Sequence, residues 1–387
     1  MPSVVIVGGG VIGAASACFL ARDEGAAVTV LERDPSYRRA SSALSASSIR
    51  QQFSTPINIA LSQASLAFLH RIGDELEVDG QRPGIDLVEA GYLYLATSAG
   101  AAQLRANHAL QRAHGAAIEL LDTAALRVRW PWLATDGLVL GAHGVRGEGW
   151  FDGPALHAAF RRKAQACGAR FVRAEAVAFD RSGDRVQAVR DAVGHAHPCD
   201  AVLIAAGAWS APLATALGFA LPVQASKRDV FVLSSPALLP GCPLLIDPSG
   251  VWLRPEGSLF LAGAPPRGDD GDELPLDAID HGLFDDVIWP TLAARVPAFE
   301  ALRVHSAWAG YYEMNRFDHN GFAGALPGWR NAFVACGFSG HGMQHAPAIG
   351  RAMAERIARG RFDSIDLAPL AAERLLRGER LVETNVI

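Results

Sequence analysis

The chain opens with an alternation of apolar and glycine-rich positions that is typical of a nucleotide-binding βαβ unit. Residues 4–7 form an apolar run, residues 8–13 follow the spacing GxGxxG, and residues 28–32 form a second apolar run that ends in an acid. In such a unit the first glycine permits a tight turn, the second lets the backbone approach a pyrophosphate, and the third lets the helix pack closely on the strand. A glycine turn alone is common, but strand, helix and acid together predict a dinucleotide site.

The acid at the end of the second predicted strand is Glu32, whose carboxylate can accept hydrogen bonds from ribose hydroxyls. The N-terminus of the helix that follows the turn offers unpaired N–H groups and a favourable dipole to the phosphates. An acid here favours a free ribose over a 2′-phosphate, although the basic Arg33 follows it directly.

A serine-rich segment, residues 40–48, comes after this unit and leads into residues 49–52. Small polar residues let the backbone pass close to a ligand. A flexible surface loop is the alternative, but the position directly after the ribose-binding strand favours a ligand-contacting loop.

The rest of the pattern predicts helices and strands in alternation, with Asp152 as an N-cap and Pro154 in the first turn of one helix. The predicted helices are 55–72, 99–114, 153–167, 278–296 and 345–359, the predicted strands are 91–95, 170–172, 186–189, 201–206 and 332–336, an antiparallel sheet is expected within 221–262, and a loop is expected over 265–277.

This order predicts an α/β protein with a discontinuous Rossmann-like nucleotide-binding domain and a second, α+β domain built on a mainly antiparallel sheet. The expected bounds are 1–80, 145–217 and 318–387 for the nucleotide-binding domain, and 81–144 and 218–317 for the substrate domain.

Composition narrows the class of protein. Half of the 387 residues are hydrophobic, which excludes a largely disordered chain, and a net charge of −5 gives no general attraction to nucleic acid. The five cysteines form no CxxC pair, so neither a disulfide framework nor a zinc site is expected. We expect a cytoplasmic protein with no metal, no nucleic-acid partner and no transmembrane segment, since no secretory signal precedes the first strand and no apolar run is long enough to span a bilayer.

A second glycine-rich turn, residues 337–344, repeats the logic of the first, because an apolar strand precedes it and a helix follows it. Two helix N-termini that favour anions suit a long cofactor with a pyrophosphate and a second electron-rich group. FAD fits, because its reduced ring system carries negative charge that a helix N-terminus can stabilise. An ordinary glycine turn is the alternative for this motif taken by itself.

Four segments together carry a family resemblance: residues 8–32, 48–53, 205–210 and 337–342. The chain resembles, from end to end, the D-amino-acid-oxidase-type (DAO) FAD-dependent oxidoreductases, which include sarcosine oxidases, glycine oxidases and D-amino-acid dehydrogenases. The resemblance implies a glutathione-reductase-like FAD domain. The last third, residues 308–387, is also similar to a mitochondrial relative that assists the assembly of respiratory complex I.

The motifs and the resemblance together predict the residues that contact FAD. They are Gly8, Gly10, Val11, Ile12, Gly13, Glu32, Arg33, Ser41, Ser47, Ser48, Ile49, Val177, Ala206, Gly207, Trp209, Gly310, Gly337, Phe338, Ser339, Gly340, His341, Gly342, Met343 and Gln344.

Arg50 matches an arginine that holds the substrate carboxylate in sarcosine oxidases, and a guanidinium suits that role because it binds carboxylates in a bidentate fork. A surface arginine is the alternative for Arg50, and a strand-edge pair is the alternative for Lys227 and Arg228. The predicted catalytic residues are Arg50, Tyr312 and His341, and the predicted substrate-binding residues are Arg50, Gln52, Tyr92, Tyr94, Lys227, Arg254, Tyr311 and Gln344.

Three positions depart from the family pattern. Gln344 stands where sarcosine oxidases carry a lysine, so one carboxylate contact is absent. Gly310 or a neighbour stands where several relatives carry a cysteine bonded to the flavin, which predicts non-covalent FAD. Residues 259–261 read Leu-Phe-Leu where oxidases place a lysine that promotes reaction with oxygen, which favours a dehydrogenase.

The resemblance implies oxidation of the C–N bond of an amino acid or N-substituted amino acid to an imine, by hydride transfer to flavin N5. The expected partners are a small amino acid or amine and an electron acceptor, either O2 or a quinone or redox protein. One alternative is an assembly or binding protein in which FAD is structural, and another is an NAD-dependent dehydrogenase.

Overall fold

Two large sheets contain most of the strands of this protein. The computed structural model describes residues 2–268 and 273–385. The strands are β1 Ser3–Val7, β2 Ala27–Glu32, β3 Ser48–Ile49, β4 Tyr92–Ala96, β5 Ile118–Leu121, β6 Leu140–Gly144, β7 Gly149–Trp150, β8 Arg170–Arg173, β9 Ala176–Ser182, β10 Arg185–Asp191, β11 Ala196–Pro198, β12 Ala201–Ile204, β13 Val223–Ser234, β14 Leu244–Ile246, β15 Trp252–Glu256, β16 Leu259–Gly263, β17 Arg303–Asn315, β18 Phe322–Ala325 and β19 Ala332–Cys336.

The helices lie mainly in the sequence regions that alternate with these strands. They are α1 Val11–Arg22, α2 Ser41–Leu44, α3 Pro56–Leu69, α4 Ile72–Glu75, α5 Ala101–Ala113, α6 Thr123–Arg129, α7 Gly153–Ala166, α8 Ser210–Ala216, α9 His281–Leu283, α10 Trp289–Arg295, α11 Gly342–Arg359 and α12 Glu373–Arg377. None of the helices in the described ranges is both long enough and apolar enough to cross a membrane.

The first sheet has the order β18-β19-β12-β1-β2-β8, and only the β18–β19 pair in it is antiparallel. Its central strands are fully buried because α1, α7 and α11 pack together on one face, which gives them the continuous apolar pattern of a parallel sheet. The carboxyl ends of parallel strands meet at one edge of a sheet. The turns that follow β1, β12 and β19 therefore lie side by side, although the first and the last are more than 300 residues apart along the chain.

The second sheet has the order β17-β13-β16-β15-β14-β4-β6-β5. Every pair in it is antiparallel except β14–β4. The mixed α/β fold with one mainly parallel and one mainly antiparallel sheet confirms the predicted fold class. We propose that the two sheets correspond to the two predicted domains.

Two predicted elements differ from the structure. The segment 278–296 is broken into α9, a single π-helical stretch over Phe284–Ile288 and α10; Pro290 cannot donate a backbone hydrogen bond to the preceding turn. The helix predicted from residue 345 begins earlier, at Gly342.

The polar residues Ser226, Lys227 and Arg228 lie inside the long strand β13, because that strand pairs with β17 along its whole length. Residues 269–272 of the predicted loop 265–277 lie outside the described residues, as do residues 386–387 of the C-terminal segment.

Candidate active site

One cavity of about 870 Å³ is lined by residues from both sheets and from the serine-rich segment. Of the residues predicted to contact FAD, the following line it: Gly8, Gly10, Val11, Ile12, Glu32, Arg33, Ser41, Ser47, Ser48, Val177, Ala206, Gly207, Trp209, Gly310, Gly340, Gly342, Met343 and Gln344. Of the predicted substrate and catalytic residues, Tyr92, Arg254, Tyr311, Tyr312 and Gln344 line it.

The first glycine turn is too crowded for side chains at two positions. Gly8 has a φ of +101°, and a Cβ atom there would lie 2.4 Å from the carbonyl oxygen of Ala205. A Cβ atom on Gly13 would lie 2.0 Å from the carbonyl oxygen of Gly8. Gly13 does not line the cavity, so its role is to let α1 approach β1, which places the helix N-terminus at the cavity wall.

Side chains fix the backbone of this turn. Glu32 accepts hydrogen bonds of 2.8 Å from the amides of Gly9 and Asp34, and the hydroxyl of Ser42 accepts one of 2.8 Å from Val11 N–H. The Nε2 of His157 lies 2.7 Å from the Gly9 carbonyl oxygen, and burial lowers the pKa of His157 to about 4. The ring is therefore neutral at neutral pH and donates through Nε2–H.

The serine-rich segment is tied to the second sheet rather than free in solvent. Ser41 Oγ donates to the carbonyl of Tyr311 at 2.6 Å, and Trp308 Nε1 donates to the carbonyl of Leu44 at 2.9 Å. A Cβ atom on Gly310 would lie 2.9 Å from that of Leu44, so the segment and β17 are in close contact. This supports a ligand-contacting loop, because its other side lines the cavity.

The second glycine turn brings the N-terminus of α11 to the opposite part of the same cavity. Gly340 has a φ of +94°, and a Cβ atom there would lie 2.3 Å from the ring of Tyr312. Gly340, Gly342 and Gln344 line the cavity, whereas the predicted contacts Gly337, Phe338 and Ser339 do not.

Glu313 lies beside this turn, lines the cavity and was missed by sequence reasoning. Burial raises the pKa of its carboxyl group to about 7, against the opposing effect of backbone hydrogen bonds from Gly337 and Phe338. Glu313 reaches the cavity because β17 lies beside the second glycine turn. No local sequence motif therefore predicts its position.

The wall formed by the second sheet carries uncharged aromatic hydroxyls. Burial raises the pKa of Tyr92 to about 12 and also raises that of Tyr312, so both hydroxyls keep their protons at neutral pH. The guanidinium of Arg228 lies 4.8 Å from the centre of the Tyr312 ring. The Tyr311 hydroxyl instead donates to the carbonyl of Leu274 at 2.7 Å.

Arg50 is not among the described residues that line the cavity. Its side chain is buried, and its guanidinium lies 4.0 Å from the centre of the Phe53 ring. Its two terminal nitrogens donate to the carbonyls of Gln52 (2.6 Å) and Asn385. The Arg50 backbone N–H donates to Gln344 Oε1 at 2.8 Å, so Arg50 fixes a residue that does line the cavity.

Four further predicted site residues also lie away from the cavity lining. Ile49 is fully buried, Gln52 donates to Glu148 at 2.8 Å, and Lys227 pairs with Asp229 at 3.2 Å. Tyr94 is buried, and its hydroxyl has no hydrogen-bond partner among the described residues.

His341 is buried against Phe53 and His345, with ring centres 5.4 and 5.2 Å away. Neither of its ring nitrogens has a hydrogen-bond partner among the described residues. Burial, assisted by the charge of Arg50, lowers the pKa of His341 to about 3. The ring is therefore neutral at neutral pH, and its predicted catalytic role stays a prediction.

The residues present fit a flavin dinucleotide. The turns at Gly8 and Gly340 line the cavity with backbone that carries no side chain, and each leads into a helix N-terminus at the cavity. Glu32 stands where a ribose would bind, and none of the chain's cysteines lines the cavity in the described ranges, in keeping with FAD held without a covalent bond.

Comparison with known proteins gives the same assignment. The family described as FAD dependent oxidoreductase (DAO) matches residues 3–356. The chain is 41% identical to FAD-dependent oxidoreductase domain-containing protein 1 of Xenopus laevis, over 99% of this chain and 84% of that protein. It is 30% identical to glycine oxidase of Geobacillus kaustophilus, over 96% of each chain.

Two solved structures share the fold. The crystal structure of that glycine oxidase superposes with a TM-score of 0.81 and 26% identity, over 96% of this chain and 98% of the other. L-proline dehydrogenase from P. horikoshii superposes with a TM-score of 0.86 and 23% identity, over 98% of this chain and 99% of the other.

Proposed function

Because this chain belongs to the DAO family of FAD-dependent oxidoreductases and uses FAD as its cofactor, we propose that it oxidises the C–N bond of an amino acid or N-substituted amino acid. The product is an imine, which hydrolyses in water. The electrons pass on to O2 or to a quinone or redox protein. The similarity to glycine oxidase of Geobacillus kaustophilus supports an amino-acid donor.

One observation carries this proposal: a single cavity joins the nucleotide-binding turns to a wall suited to a small zwitterion. That wall combines the neutral hydroxyls of Tyr92 and Tyr312 with the cationic side chains of Arg228 and Arg254. A protein that kept FAD only for structure would not need buried polar groups facing the space beside it.

Different side chains of the wall have different roles in substrate binding. A cationic side chain binds the substrate carboxylate, and apolar residues such as Ile246 and Trp252 exclude water from the reacting carbon. When bound, FAD supplies a two-electron acceptor for the hydrogen on the α-carbon. The four polar side chains of this wall, Tyr92, Tyr312, Arg228 and Arg254, are not bases at neutral pH, and none is required when the amine binds in its neutral form, its proton having gone to solvent before binding.

Anaerobic spectroscopy tests the proposal. Protein reconstituted with FAD is mixed, without oxygen, with a panel of D-, L- and N-methyl amino acids. We expect at least one of them to remove the flavin absorbance near about 450 nm within seconds to minutes. Matched carboxylic acids without the amine serve as controls and leave that absorbance in place. If no amino acid reduces the flavin, the proposal is wrong.

The second candidate is an assembly or binding protein in which FAD is structural. It is favoured by the surroundings of Arg50, since its guanidinium is engaged by main-chain carbonyls of Gln52 and Asn385. The same panel separates the two candidates, because a structural flavin stays oxidised with every amino acid.

A further inference from the structure

We propose that Arg254, rather than Arg50, is the side chain that binds the substrate carboxylate. This inference rests on the proposed oxidation of amino acids and names the group that selects the substrate class. The structure assigns the two arginines different positions: Arg254 lines the cavity, whereas Arg50 is not among the described residues that line it.

The register of the second sheet places Arg254 among the other cavity residues of the substrate wall. Trp252 and Arg254 are two residues apart on β15, so their side chains share one face of the sheet. Trp252 pairs with Ile246 on β14, and Leu244 of β14 pairs with Tyr92 on β4. Three neighbouring strands therefore present one cation and one neutral hydroxyl among apolar side chains.

The guanidinium of Arg254 is held firmly but is not saturated. It donates to the carbonyls of Ala46 at 2.8 Å and Pro255 at 3.1 Å, and to the carboxylate of Glu256. Its Nε–H has no partner among the described residues, although the side chain is only 4% exposed. A buried, unpaired N–H of a charged group is costly unless a ligand satisfies it.

The charges around Arg254 leave it able to take an anion. Glu256, the carboxylate that contacts it, is half-exposed, so solvent screens that pair. Tyr92 is the titratable group of the wall that acts electrostatically on Arg254, and it is neutral at neutral pH. Burial lowers the pKa of Arg254 from its ordinary value, but an arginine remains charged at neutral pH.

Arg50 does not line the cavity in the described part of the chain. Two of its nitrogens donate to the main-chain carbonyls of Gln52 and Asn385, and its guanidinium lies against the Phe53 ring. Arg254 lines the cavity and has a buried N–H without a partner among the described residues.

The substrate class follows from this arrangement. The cation of Arg254 lies next to Leu244, Ile246 and Trp252, which suits the carboxylate of an amino acid with an apolar or small side chain. Arg228 on β13 is a second cation of the cavity lining, and its guanidinium lies 4.8 Å from the centre of the Tyr312 ring.

Ligand binding to the FAD-loaded protein tests Arg254 without relying on turnover. Benzoate and its neutral isostere benzamide are titrated against the flavin spectrum of the unaltered protein and of Arg254→Met, Arg254→Lys and Arg50→Met. We expect benzoate to bind the unaltered protein more tightly than benzamide does. Arg254→Met should weaken benzoate binding roughly 10- to 100-fold and leave benzamide binding within a factor of about 2. Arg254→Lys should fall between, because it keeps the charge but loses the Nε donor.

Matched controls separate binding from folding. Arg330→Met changes an exposed arginine paired with Asp184 and is expected to alter nothing. The ratio of bound flavin to protein is measured for each variant, and Arg254→Lys carries the test if Arg254→Met loses FAD. With an oxidisable amino acid, the Arg254 variants should raise KM more than they lower kcat.

The outcomes distinguish this inference from the proposed function. Equal affinities for benzoate and benzamide in the unaltered protein would overturn the Arg254 assignment. So would a loss of benzoate binding in Arg50→Met with none in either Arg254 variant. If benzoate binding depends on Arg254 but no amino acid reduces the flavin, the anchor is supported and the proposed function is wrong.

Discussion

Glu148 is a buried carboxyl group whose protonation couples the stability of the protein to pH. It accepts hydrogen bonds from the amides of Gln51 at 2.6 Å and Gln52 at 3.0 Å, and from the Gln52 side chain at 2.8 Å. Burial nevertheless raises the pKa of Glu148 to about 7. The folded protein therefore holds this proton at pH values where the unfolded chain has already released it.

The raised pKa predicts that stability falls as the pH rises from about 4.5 through about 7. The shift corresponds to about 3 kcal/mol, present in full below the unfolded pKa and lost above the folded one. We expect Glu148→Gln to reduce the drop in unfolding free energy between pH 5 and pH 8, measured by urea denaturation. Glu379→Gln, at an exposed acid, is the control. An unchanged drop in Glu148→Gln would contradict the predicted coupling.

At the scale of residues, the sequence was informative where local backbone geometry decides the role. Gly8 stands at positive φ in a tight turn, and Glu32 ends its strand beside that turn, as their spacing predicted. Arg50 was different, because its side-chain partner is residue 385, which is 335 positions away. The role of Glu313 could not be predicted from the sequence, because its environment is formed by the pairing of strands that are distant along the chain.

At the scale of elements, the segment 381–385 works as a strap across residues 54–58, at the start of α3. Glu383 is fully buried and accepts hydrogen bonds from Ser54 N–H at 2.8 Å, Ser54 Oγ at 2.6 Å, Thr55 Oγ1 at 2.9 Å and Asn58 Nδ2 at 3.0 Å. These contacts hold Asn385 in place over Arg50. One carboxylate thus secures both the strap and the start of α3.

Removing this carboxylate should loosen the strap. We expect Glu383→Ala to lower the free energy of unfolding by roughly 3 kcal/mol, because several buried donors lose a charged acceptor. Hydrogen exchange should also become faster at the amides of residues 50–58. Glu379→Ala, four residues earlier and exposed, is the matched control. Equal stability of the two variants would show that the strap contributes little.

Element types were readable from the sequence where the period was strong, as in β1, α1, α3 and β19. The boundaries of the elements were harder to predict from the sequence. For example, α11 begins at Gly342 because a helix needs no apolar residue in its first turn. Ser226, Lys227 and Arg228 are polar residues that lie inside β13. Their pairing with β17 outweighs the local preference of such residues for the end of a strand.

At the scale of the whole molecule, the cavity exists because two sheets and the loop between them meet. The turns after β1, β12 and β19 meet at one edge of the sheet because their strands are parallel neighbours. The chain thus reaches that edge three times. The repetition of strand, glycine turn and helix allowed this to be predicted. The course of the second sheet was not predictable in detail, because its strands pair across long and irregular connections.

This arrangement of the cavity predicts that FAD stabilises both sheets. The ADP half of the cofactor alone should stabilise only the first sheet. FAD at about 100 times its dissociation constant should add about 2.7 kcal/mol to the free energy of unfolding. Removing it should lower the melting temperature and speed hydrogen exchange at residues 8–13 and 41–48, and at residues 310–313 and 340–344, because all four segments contribute residues to the cavity lining.

ADP provides the matched comparison, since it carries the adenine, ribose and diphosphate without the flavin. Added to the FAD-free protein, ADP should restore protection at residues 8–13, beside Glu32, and leave residues 310–313 and 340–344 exchanging as before. The reason is that we expect the second glycine turn and β17 to contact only the flavin half. If ADP protected all of these segments as well as FAD does, a general tightening of the protein would explain the stabilisation, and the division of the cavity between its two ends would be wrong.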